Sequence, residues 1–342
     1  VINGAMQVAQ RATSASAGND TCVSLDRHRT FVSGGGAYTL SQETDTPSGQ
    51  GFKNSMKVTV STADSSIAAG DYYIIQHRIE GQNVAHFMLG TSSAVKVTLS
   101  FWVKSSLTGN FGGSFLNSDN NRSYPFQYNI STANTWEKIT KTVQLDTTGT
   151  WLTTNGIGFK IYFDLGSGTT YQGTADAWAG TNYHTASSSV QLIGTNSATW
   201  YVTGLQLEVG SVATPFEHRS YGEELQLCRR YLQYFDAHSN YDRFAIGTAT
   251  TTDDCNFLFK FNPYMRDVPT LVHGTLSEIV VLDNDNSAEA IGSLSIDTNT
   301  DGPQGCNVEA SDITSDVMTA GDATQMSANN TANAFISFDS EL

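Results

Sequence analysis

The chain has 342 residues, which is enough for two domains with buried cores. Only 15% of the residues are charged, and Gly, Ser, Thr and Asn are abundant, which favours turn-rich β-sandwiches over helical bundles. The net charge of −15 and the lack of a basic segment argue against nucleic-acid binding. No run of about 18 apolar residues occurs, so we expect no membrane insertion.

Alternation of apolar and polar residues predicts a series of strands before Gly210. The clearest is VKVTLSFWVK at Val95–Lys104, where Trp102 faces the polar side as an exposed platform, a cross-strand partner or a subunit contact. An extra residue at Gly204 shifts the alternation of the last strand, which predicts a β-bulge. Together the strands indicate a jelly-roll β-sandwich over residues 1–218. The other predicted strands are Met56–Val60, Tyr72–Ile79, Trp136–Leu145, Ile157–Leu165, Ser189–Ile193 and Trp200–Val209.

The segment Gly166–Ser188 is rich in Gly, Asn and Thr and carries several aromatic side chains. Aromatic rings stack on the apolar faces of sugars, while Asn, Asp and Thr hydrogen-bond to sugar hydroxyls. This composition predicts a glycan-binding loop, although Trp178 in such a loop often only closes the end of a sandwich. The candidate glycan-binding residues are Trp178, Tyr171, Tyr183 and His184.

A linking helix is predicted within residues 219–238, spanning Ser220–Phe235 in about four turns. Ser220 and Glu223 have the spacing of a capping box, in which each satisfies a backbone N–H group of the other. The residues that recur at helical spacing are Tyr221, Leu225, Cys228 and Leu232. They form one apolar face, on which the thiol of Cys228 is expected to be buried.

Residues 239–342 predict a smaller, acidic β-sandwich. From Thr251 onwards there are fifteen acidic and two basic residues, against eighteen and sixteen before it. A solvated acidic surface is the simplest interpretation of this excess. The predicted strands are Arg243–Thr250, Asn256–Phe261, Thr270–Thr275, Glu278–Leu282, Gly292–Ile296 and Ala334–Phe338.

One acidic loop has the beginning of a calcium-binding pattern. Asp297, Asn299 and Asp301 occupy positions 1, 3 and 5, and Gly302 occupies position 6, as in loops that bind this cation. Position 12 is Val308 rather than an acidic residue, so a turn rich in Asp and Asn is the alternative. No other cofactor is predicted.

The four cysteines, Cys22, Cys228, Cys255 and Cys306, are widely separated and have no zinc-binding spacing. Two alternatives stay open for them. Cys255 and Cys306 form a disulfide, or all four are reduced, which is consistent with assembly in a bacterial cytoplasm.

Several segments resemble a module common in phage tail-fibre and tail-tip proteins. They cover most of residues 1–232, with further short matches at Phe261–Thr270 and Phe338–Leu342. The segments are VINGAMQVAQR, KVTVSTADSSIAAGDYYIIQHRIEG, VTLSFWVKSS, TWEKITKTVQLDTTGTW, GLQLEVGSVATPFEHRSYGEELQLCRRY, FNPYMRDVPT and FDSEL. The resemblance implies a jelly roll like that of carbohydrate-binding modules, within a homotrimeric fibre or spike of the virion. The chain departs from the usual pattern at Arg27-His28, where an aromatic residue commonly follows the arginine.

Three functions are compatible with these observations. The first is a tail-fibre or tail-tip protein that binds a host-surface glycan and contacts itself and other virion proteins. The second is a purely structural head fibre or capsid decoration protein. The third is a polysaccharide depolymerase, which is disfavoured because no GxSxG, HExxH, P-loop or dinucleotide-binding motif occurs. We therefore expect a virion protein that is not an enzyme.

Overall fold

The computed structural model describes residues 1–297, 301–314 and 318–342, and it is built mainly of β-strands. The chain divides into unit 1, with Val1–Glu224 and Leu342, and unit 2, with Leu225–Glu341. Within the described residues, α1 (Tyr221–Arg229) is the only α-helix. The predicted fold class, two β domains and one helix, is thus confirmed. The boundary between the units falls inside the predicted linking segment 219–238.

Unit 1 is a sandwich of two antiparallel sheets of the jelly-roll type. Sheet A has the strand order β1-β3-β4-β13-β6-β9 and sheet B the order β2-β5-β10-β7-β8, while β11 and β12 form a small parallel pair. The chain crosses repeatedly from one sheet to the other, which is how a jelly roll closes its core. In chain order the strands are β1 (Ser14–Ser16), β2 (His28–Ser33), β3 (Ala37–Glu43), β4 (Ser55–Thr62), β5 (Tyr72–Glu80), β6 (Lys96–Ser105), β7 (Gly109–Leu116), β8 (Ser123–Ile130), β9 (Glu137–Gln144), β10 (Ile157–Ser167), β11 (Gln172–Gly173), β12 (Thr185–Ala186) and β13 (Thr199–Val209). Short 3₁₀ helices lie at Gly81–Asn83, Ala85–Phe87, Thr169–Tyr171 and Leu192–Gly194.

The core of unit 1 lies between its two sheets and is rich in aromatic residues. The ring of Phe163 lies 5.1 Å from that of Phe101 and 5.3 Å from that of Trp200. Trp200 is fully buried, and its indole N–H donates a hydrogen bond of 3.1 Å to the hydroxyl of Tyr128. The one polar atom of this ring is therefore satisfied inside the core, as buried donors require.

Sequence patterns did not predict β2, β3, β7 or β8. In β7 the cause is visible, because Gly112 and Gly113 replace the side chains that would have shown alternation. A Cβ atom on Gly112 would lie 1.7 Å from Oγ1 of Thr185, and one on Gly113 would lie 2.4 Å from the carbonyl oxygen of Tyr162. Gly112 therefore makes room for the Thr185 side chain, and Gly113 for the backbone of the neighbouring strand.

The predicted strand Ser189–Ile193 is wrong. The chain forms a 3₁₀ turn at Leu192–Gly194 instead. Leu192 and Ile193 are adjacent in sequence and both fully buried. A strand with one solvated face would bury only every second residue, so a turn inserted into the core fits this pattern better.

The predicted bulge at Gly204 is confirmed. Gly204 has a φ of +65°, and the register between β13 and β6 shifts between Thr203 and Gln206. A Cβ atom at this glycine would lie 2.6 Å from Cζ of Phe52. The bulge therefore both bends the strand and makes room for the Phe52 ring.

Unit 2 is a second sandwich, as predicted. Its larger sheet has the order β19-β18-β22-β15-β16-β21-β20 and its smaller sheet the order β14-β23-β17. Phe257, Phe259 and Phe261 are buried, and the ring of Phe259 lies 4.9 Å from that of Phe338 on the smaller sheet. The strands are β14 (Leu232–Asp236), β15 (Arg243–Ala249), β16 (Cys255–Lys260), β17 (Thr270–His273), β18 (Ile279–Leu282), β19 (Ala288–Ala290), β20 (Ser293–Ile296), β21 (Gly305–Ser311), β22 (Ala323–Ala328) and β23 (Phe335–Asp339), with a 3₁₀ helix at Leu276–Glu278.

The capping box that begins α1 is present. The carboxylate of Glu223 accepts hydrogen bonds from the backbone N–H of Ser220 at 2.9 Å and from its hydroxyl at 2.8 Å. The backbone N–H of Glu223 donates in return to the hydroxyl of Ser220 at 3.3 Å. These bonds lower the pKa of Glu223, because they favour the ionised carboxylate.

The predicted extent of the helix is wrong, because α1 ends at Arg229 and not at Phe235. Leu232 begins β14, which pairs with β23 at the end of the chain. The residues after the helix are β-formers, and strand pairing outweighs the helical spacing of Leu232. Of the remaining predicted face, Cys228 is fully buried and Leu225 is half-buried, but Tyr221 is exposed, so the prediction is wrong for this residue.

Cys255 and Cys306 are buried thiols that do not form the disulfide considered as one alternative. Cys255 is paired with Ala310, whereas Cys306 is paired with Phe259, four residues further along β16. Four residues of a strand span about 13 Å, which is well beyond the reach of a disulfide.

Candidate functional site

The Gly166–Ser188 segment contacts one edge strand of each sheet of unit 1. Its residue Asp176 donates a backbone hydrogen bond of 2.8 Å to Pro125 on β8, the edge strand of sheet B. Ala179 and Ser123 exchange backbone hydrogen bonds of 2.9 and 3.0 Å on the same strand. The indole N–H of Trp178 donates to the carbonyl oxygen of Gln144, the last residue of edge strand β9, at 2.9 Å. The segment thus bridges the two sheets and shields edges that would otherwise pair with other chains.

Trp178 is half-buried at this position. Its ring lies 5.7 Å from that of Trp151, at 88°, and 5.2 Å from that of Tyr124, at 55°. Trp151 is the more deeply buried neighbour, and Tyr124 is half-buried on β8. Trp178 therefore closes the rim of the sandwich and keeps part of its ring accessible. Closing the end of the sandwich and contacting a glycan are thus compatible roles for this residue.

The accessible part of Trp178 borders a groove of about 430 Å³, which we call the Trp178 groove. Its size is within the range of small-molecule sites, about 300–1,000 Å³. The groove combines aromatic rings with carboxylate, hydroxyl, amide and guanidinium groups. Its lining residues are Arg122, Tyr124, Gln144, Leu145, Asp146, Thr147, Thr148, Asp176 and Trp178.

The polar groups of the groove are held in place by one another. Arg122 binds Asp146 through Nε at 2.5 Å and through Nη2 at 3.0 Å. The same carboxylate accepts the backbone N–H and the hydroxyl of Thr148, at 3.0 and 2.9 Å. Asp176 is paired with Lys141 at 2.6 Å. Each of the two carboxylates is thus paired with a cation. The groove is therefore polar but has no strong excess of charge.

The phenol of Tyr124 is protonated at neutral pH. Burial, and to a smaller extent the nearby carboxylate of Asp176, raises the pKa of Tyr124 to about 12. A neutral phenol both donates and accepts hydrogen bonds. Tyr124 can therefore pair with a sugar hydroxyl acting as either acceptor or donor.

Two of the other predicted residues form a separate cluster. Tyr171 and His184 stack at 4.2 Å with an interplanar angle of 8°, and the rings of Tyr72 and Tyr162 meet His184 edge-on at 5.2 and 5.3 Å. Burial, and to a smaller extent the charge of Lys160, lowers the pKa of His184 to about 3, so this imidazole is neutral at physiological pH. The cluster packs the segment onto sheet B and does not line the Trp178 groove.

Tyr183 packs within the segment itself. A Cβ atom on Gly173 would lie 2.4 Å from Cδ2 of Tyr183, so the ring lies directly against this glycine. The structure therefore brings Tyr171 and His184 together and separates them, with Tyr183, from the groove that Trp178 borders.

Sequence reasoning missed the polar side of the groove. Arg122, Tyr124 and Asp146 are not among the candidate residues that the sequence singles out. Asp146 is followed by Thr147, Thr148 and a glycine, a composition that signals a turn closed by the Asp side chain. That signal locates the turn but gives no indication that it faces Trp178.

The calcium prediction falls partly outside the described residues, since Asn299 is not among them. In the described part of the chain, no three or more His, Cys, Asp or Glu side chains cluster closely enough to hold a metal ion. Calcium binding by Asp297 and Asp301 stays a prediction. Of the helices in these residues, none has the length and apolar character needed to cross a membrane.

Comparisons with known proteins give distant similarities only. No protein-family model matches the sequence, and no curated protein matches it. Among solved structures, the chain is similar to the enzymatically active domain of bacteriophage CBA120 tailspike protein 4, with 13% identity and a TM-score of 0.33 over 61% of this chain and 21% of that chain. It therefore spans about a fifth of the tailspike chain.

Two carbohydrate-binding modules are also similar. One is of family 4, with 13% identity, a TM-score of 0.32, and coverage of 61% of this chain and 98% of the module. The other is the family 11 module of a cellulosomal cellulase of Clostridium thermocellum, with 13% identity, a TM-score of 0.29, and coverage of 60% and 100%.

Proposed function

We propose that the protein is a component of a phage virion, in the tail fibre or tail tip, and that unit 1 binds a host-surface glycan. The observation that carries the proposal is the Trp178 groove. There, a half-buried indole is fixed by its hydrogen bond to Gln144 beside a protonated tyrosine and a set of ordered polar groups. The virion setting is supported by the resemblance of the sequence to tail-fibre modules.

Binding at the groove would use two kinds of contact. A pyranose ring would stack its apolar face on Trp178, and its hydroxyls would bond to groups such as Asp176, Thr148 and the phenol of Tyr124. Because Arg122 and Lys141 match the two carboxylates, the groove suits a neutral sugar unit. Homotrimerisation would add avidity to contacts that are individually weak.

The test is binding of Trp178→Ala to an array of bacterial surface glycans, together with adsorption of virions that carry the variant. We expect a loss of about tenfold or more, because a central aromatic contact contributes about 2 kcal/mol. Trp136→Ala is the matched control, since Trp136 is also half-buried and its indole N–H is also bonded, to Asp45 at 3.0 Å. Unchanged binding by Trp178→Ala would remove this groove from the site, and failure of the wild type to bind any host glycan would refute the receptor role.

A second variant separates binding from stability. Trp178→Phe keeps an aromatic face but loses the hydrogen bond to Gln144. We expect it to bind more tightly than Trp178→Ala even if both variants melt at similarly lowered temperatures. Binding losses that follow the melting temperature alone would show that Trp178 acts only on the fold.

A purely structural virion role, as a head fibre or capsid decoration, is the second candidate. It is favoured by two exposed apolar residues of unit 2, Ile246 and Leu258, which are 75% and 53% exposed. They adjoin the register pair Gly247 and Phe257 on β15 and β16. An exposed apolar pair on a sheet face suits contact with another protein chain. Labelling of the capsid rather than the tail would support this candidate, and a monomer mass in native mass spectrometry would contradict a homotrimer.

We propose no catalytic activity for the chain. The Trp178 groove holds two carboxylates, Asp146 and Asp176, but each is paired with a cation, whereas a glycosidase needs one protonated carboxyl group as an acid. Release of reducing ends from host capsule by the purified protein would contradict this.

A further inference from the structure

A second groove lies on the outer face of sheet A, and Trp178 is not part of it. It encloses about 440 Å³ and is called the Trp102 groove here. Its floor is formed by Ser100 and Trp102 of β6 and by Gly204 of β13. The complete lining is Gly49, Gln50, Phe52, Ser100, Trp102, Lys138, Gly204, Ala213, Thr214, Pro215, Phe216 and His218.

One wall of the groove is an aromatic cluster that depends on the bulge of β13. Because Gly204 has no Cβ atom, the Phe52 ring packs directly over it. Phe52 then contacts Phe216 at 5.0 Å and His218 at 4.9 Å between ring centroids. His218 is linked in turn to the carbonyl oxygen of Gln50 at 3.2 Å. Two chain segments that are distant in sequence are thus fixed beside β6.

Trp102 provides an aromatic surface opposite this wall. In the sheet it is paired with Thr203 of β13 on one side and with Lys138 of β9 on the other. The indole is half-buried, so part of it is accessible to a ligand, while Lys138 is exposed. An aromatic face with a cation beside it is therefore present on the strand next to the cluster.

The charge of the groove sets it apart from the rest of the protein. The chain has 33 acidic and 18 basic residues, yet none of the twelve lining residues, all within the described part of the chain, carries a carboxylate. Acids also lie near the groove on this face. Asp45 is paired with Lys104, two residues along β6 from Trp102, and Glu208 lies two residues beyond Gln206 of β13. The carboxylate of Glu208 accepts the backbone N–H of Thr214 at 3.1 Å and also the hydroxyl of that residue. These bonds hold the Glu208 carboxylate against Thr214 at the rim of the groove, where the charge of Lys138 also acts on it.

We propose that the Trp102 groove binds a carboxylated sugar unit, with the pyranose ring stacked on Trp102 and the carboxylate paired with the ammonium group of Lys138. A charged hydrogen bond to a carboxylate is about twice as strong as a neutral one. Ser100, Gln50 and Thr214 supply hydroxyl and amide groups for the sugar hydroxyls. The site is independent of the Trp178 groove, whose two carboxylates favour a neutral sugar.

The experiment compares methyl β-D-glucuronide with methyl β-D-glucoside, which differ only in the carboxylate. Both are titrated against the full chain by saturation-transfer NMR. We expect the glucuronide to bind up to about fivefold more tightly, as for an ion pair at an exposed lysine, and its advantage to shrink as salt is added. Lys138→Gln should abolish the preference, and Trp102→Ala should abolish glucuronide binding.

Lys96→Gln is the matched control for the charge. Lys96 is exposed on the same strand and the same face as Trp102, six residues or about 20 Å away. Lys96→Gln should leave the preference for the glucuronide over the glucoside unchanged. Trp178→Ala should also retain glucuronide binding, so failure of the proposed receptor site and failure of this site give different results. Near-ultraviolet circular dichroism establishes whether each variant is folded. If Trp102→Ala does not fold, the loss or retention of the glucuronide preference in Lys138→Gln tests the proposal by itself.

Three outcomes would overturn the proposal. The first is equal affinity for the two glycosides or no binding of the glucuronide at millimolar concentration. The second is an unchanged preference in Lys138→Gln. The third is loss of glucuronide binding in Trp178→Ala but not in Trp102→Ala, which would place the carboxylate elsewhere.

Discussion

Replacing Gly204 by alanine tests whether the bulge of β13 and the Phe52 ring depend on each other. A residue with a Cβ atom at a φ of +65° costs about 1 kcal/mol. In addition, the new Cβ atom would lie 2.6 Å from Cζ of Phe52, which is only 9% exposed and is backed by Phe216 and His218. Displacing such a ring costs about 1–3 kcal/mol more. We expect Gly204→Ala to lower the free energy of unfolding of unit 1 by about 2–4 kcal/mol.

The assay is urea unfolding followed by tryptophan fluorescence. All five tryptophans lie in unit 1, so the signal reports that unit alone. Gly49→Ala separates the two costs, because Gly49 has a φ of +74° but no atom within 4 Å of the position of a Cβ. It should lose only about 1 kcal/mol.

A double-mutant cycle with Phe52→Ala completes the test. Without the ring, Gly204→Ala should cost no more than Gly49→Ala does. The reasoning is refuted if Gly204→Ala and Gly49→Ala cost the same in the presence of Phe52, or if the cost at Gly204 is unchanged when Phe52 is removed.

Three further changes have defined outcomes. Burial raises the pKa of Asp164 to about 6, so the folded state holds a proton that the unfolded state has lost, and stability should fall as the pH rises from about 4 to 6. Asp164→Asn should remove up to about 1.4 kcal/mol per pH unit from that slope, measured by urea unfolding across the window, and an unchanged slope would contradict the assignment. Arg122→Gln should cost unit 1 about 2–3 kcal/mol in the same assay, because it leaves the buried carboxylate of Asp146 without its cation; a loss below 1 kcal/mol would argue against a stabilising pair. Ser220→Ala should cost about 1 kcal/mol at the start of α1, seen as faster hydrogen exchange of its first amides, and unchanged exchange would mean that the cap is not needed.

The sequence predicts those strands that have one face in a core and one face in solvent. β9 and β16 belong to this group, since Val143 and Phe257 are buried and their neighbours in the strand are exposed or half-buried. β7 is not predicted in this way, because Gly112 and Gly113 make room for the Thr185 side chain and for the backbone of Tyr162. The predicted helix is too long for a related reason. Leu232 keeps the helical spacing, but its segment pairs with β23, which follows about a hundred residues later in the chain.

For the candidate site, composition identifies Trp178 but not its surroundings. Local sequence shows that a loop is aromatic and polar, and Tyr171, His184 and Tyr183 share that signal although they pack elsewhere. Which residues face Trp178 depends on how the edges of two sheets meet, and this is a property of the folded chain. The Trp102 groove is harder still to foresee, because its walls come from segments far apart in sequence.

Between residues 174 and 182 the Gly166–Ser188 segment is hydrogen-bonded to sheet B through its own backbone atoms. Asp176 and Ala179 contribute backbone N–H or carbonyl groups, and the hydroxyl of Ser123 donates to the carbonyl oxygen of Thr181 at 2.6 Å. Such anchors do not depend on which side chains the segment carries. Apart from Trp178 and Asp176, which contact sheet A, the side chains between residues 174 and 182 can therefore vary while the segment keeps its course. The glycan specificity proposed above can change with them at little cost to the stability of the sandwich.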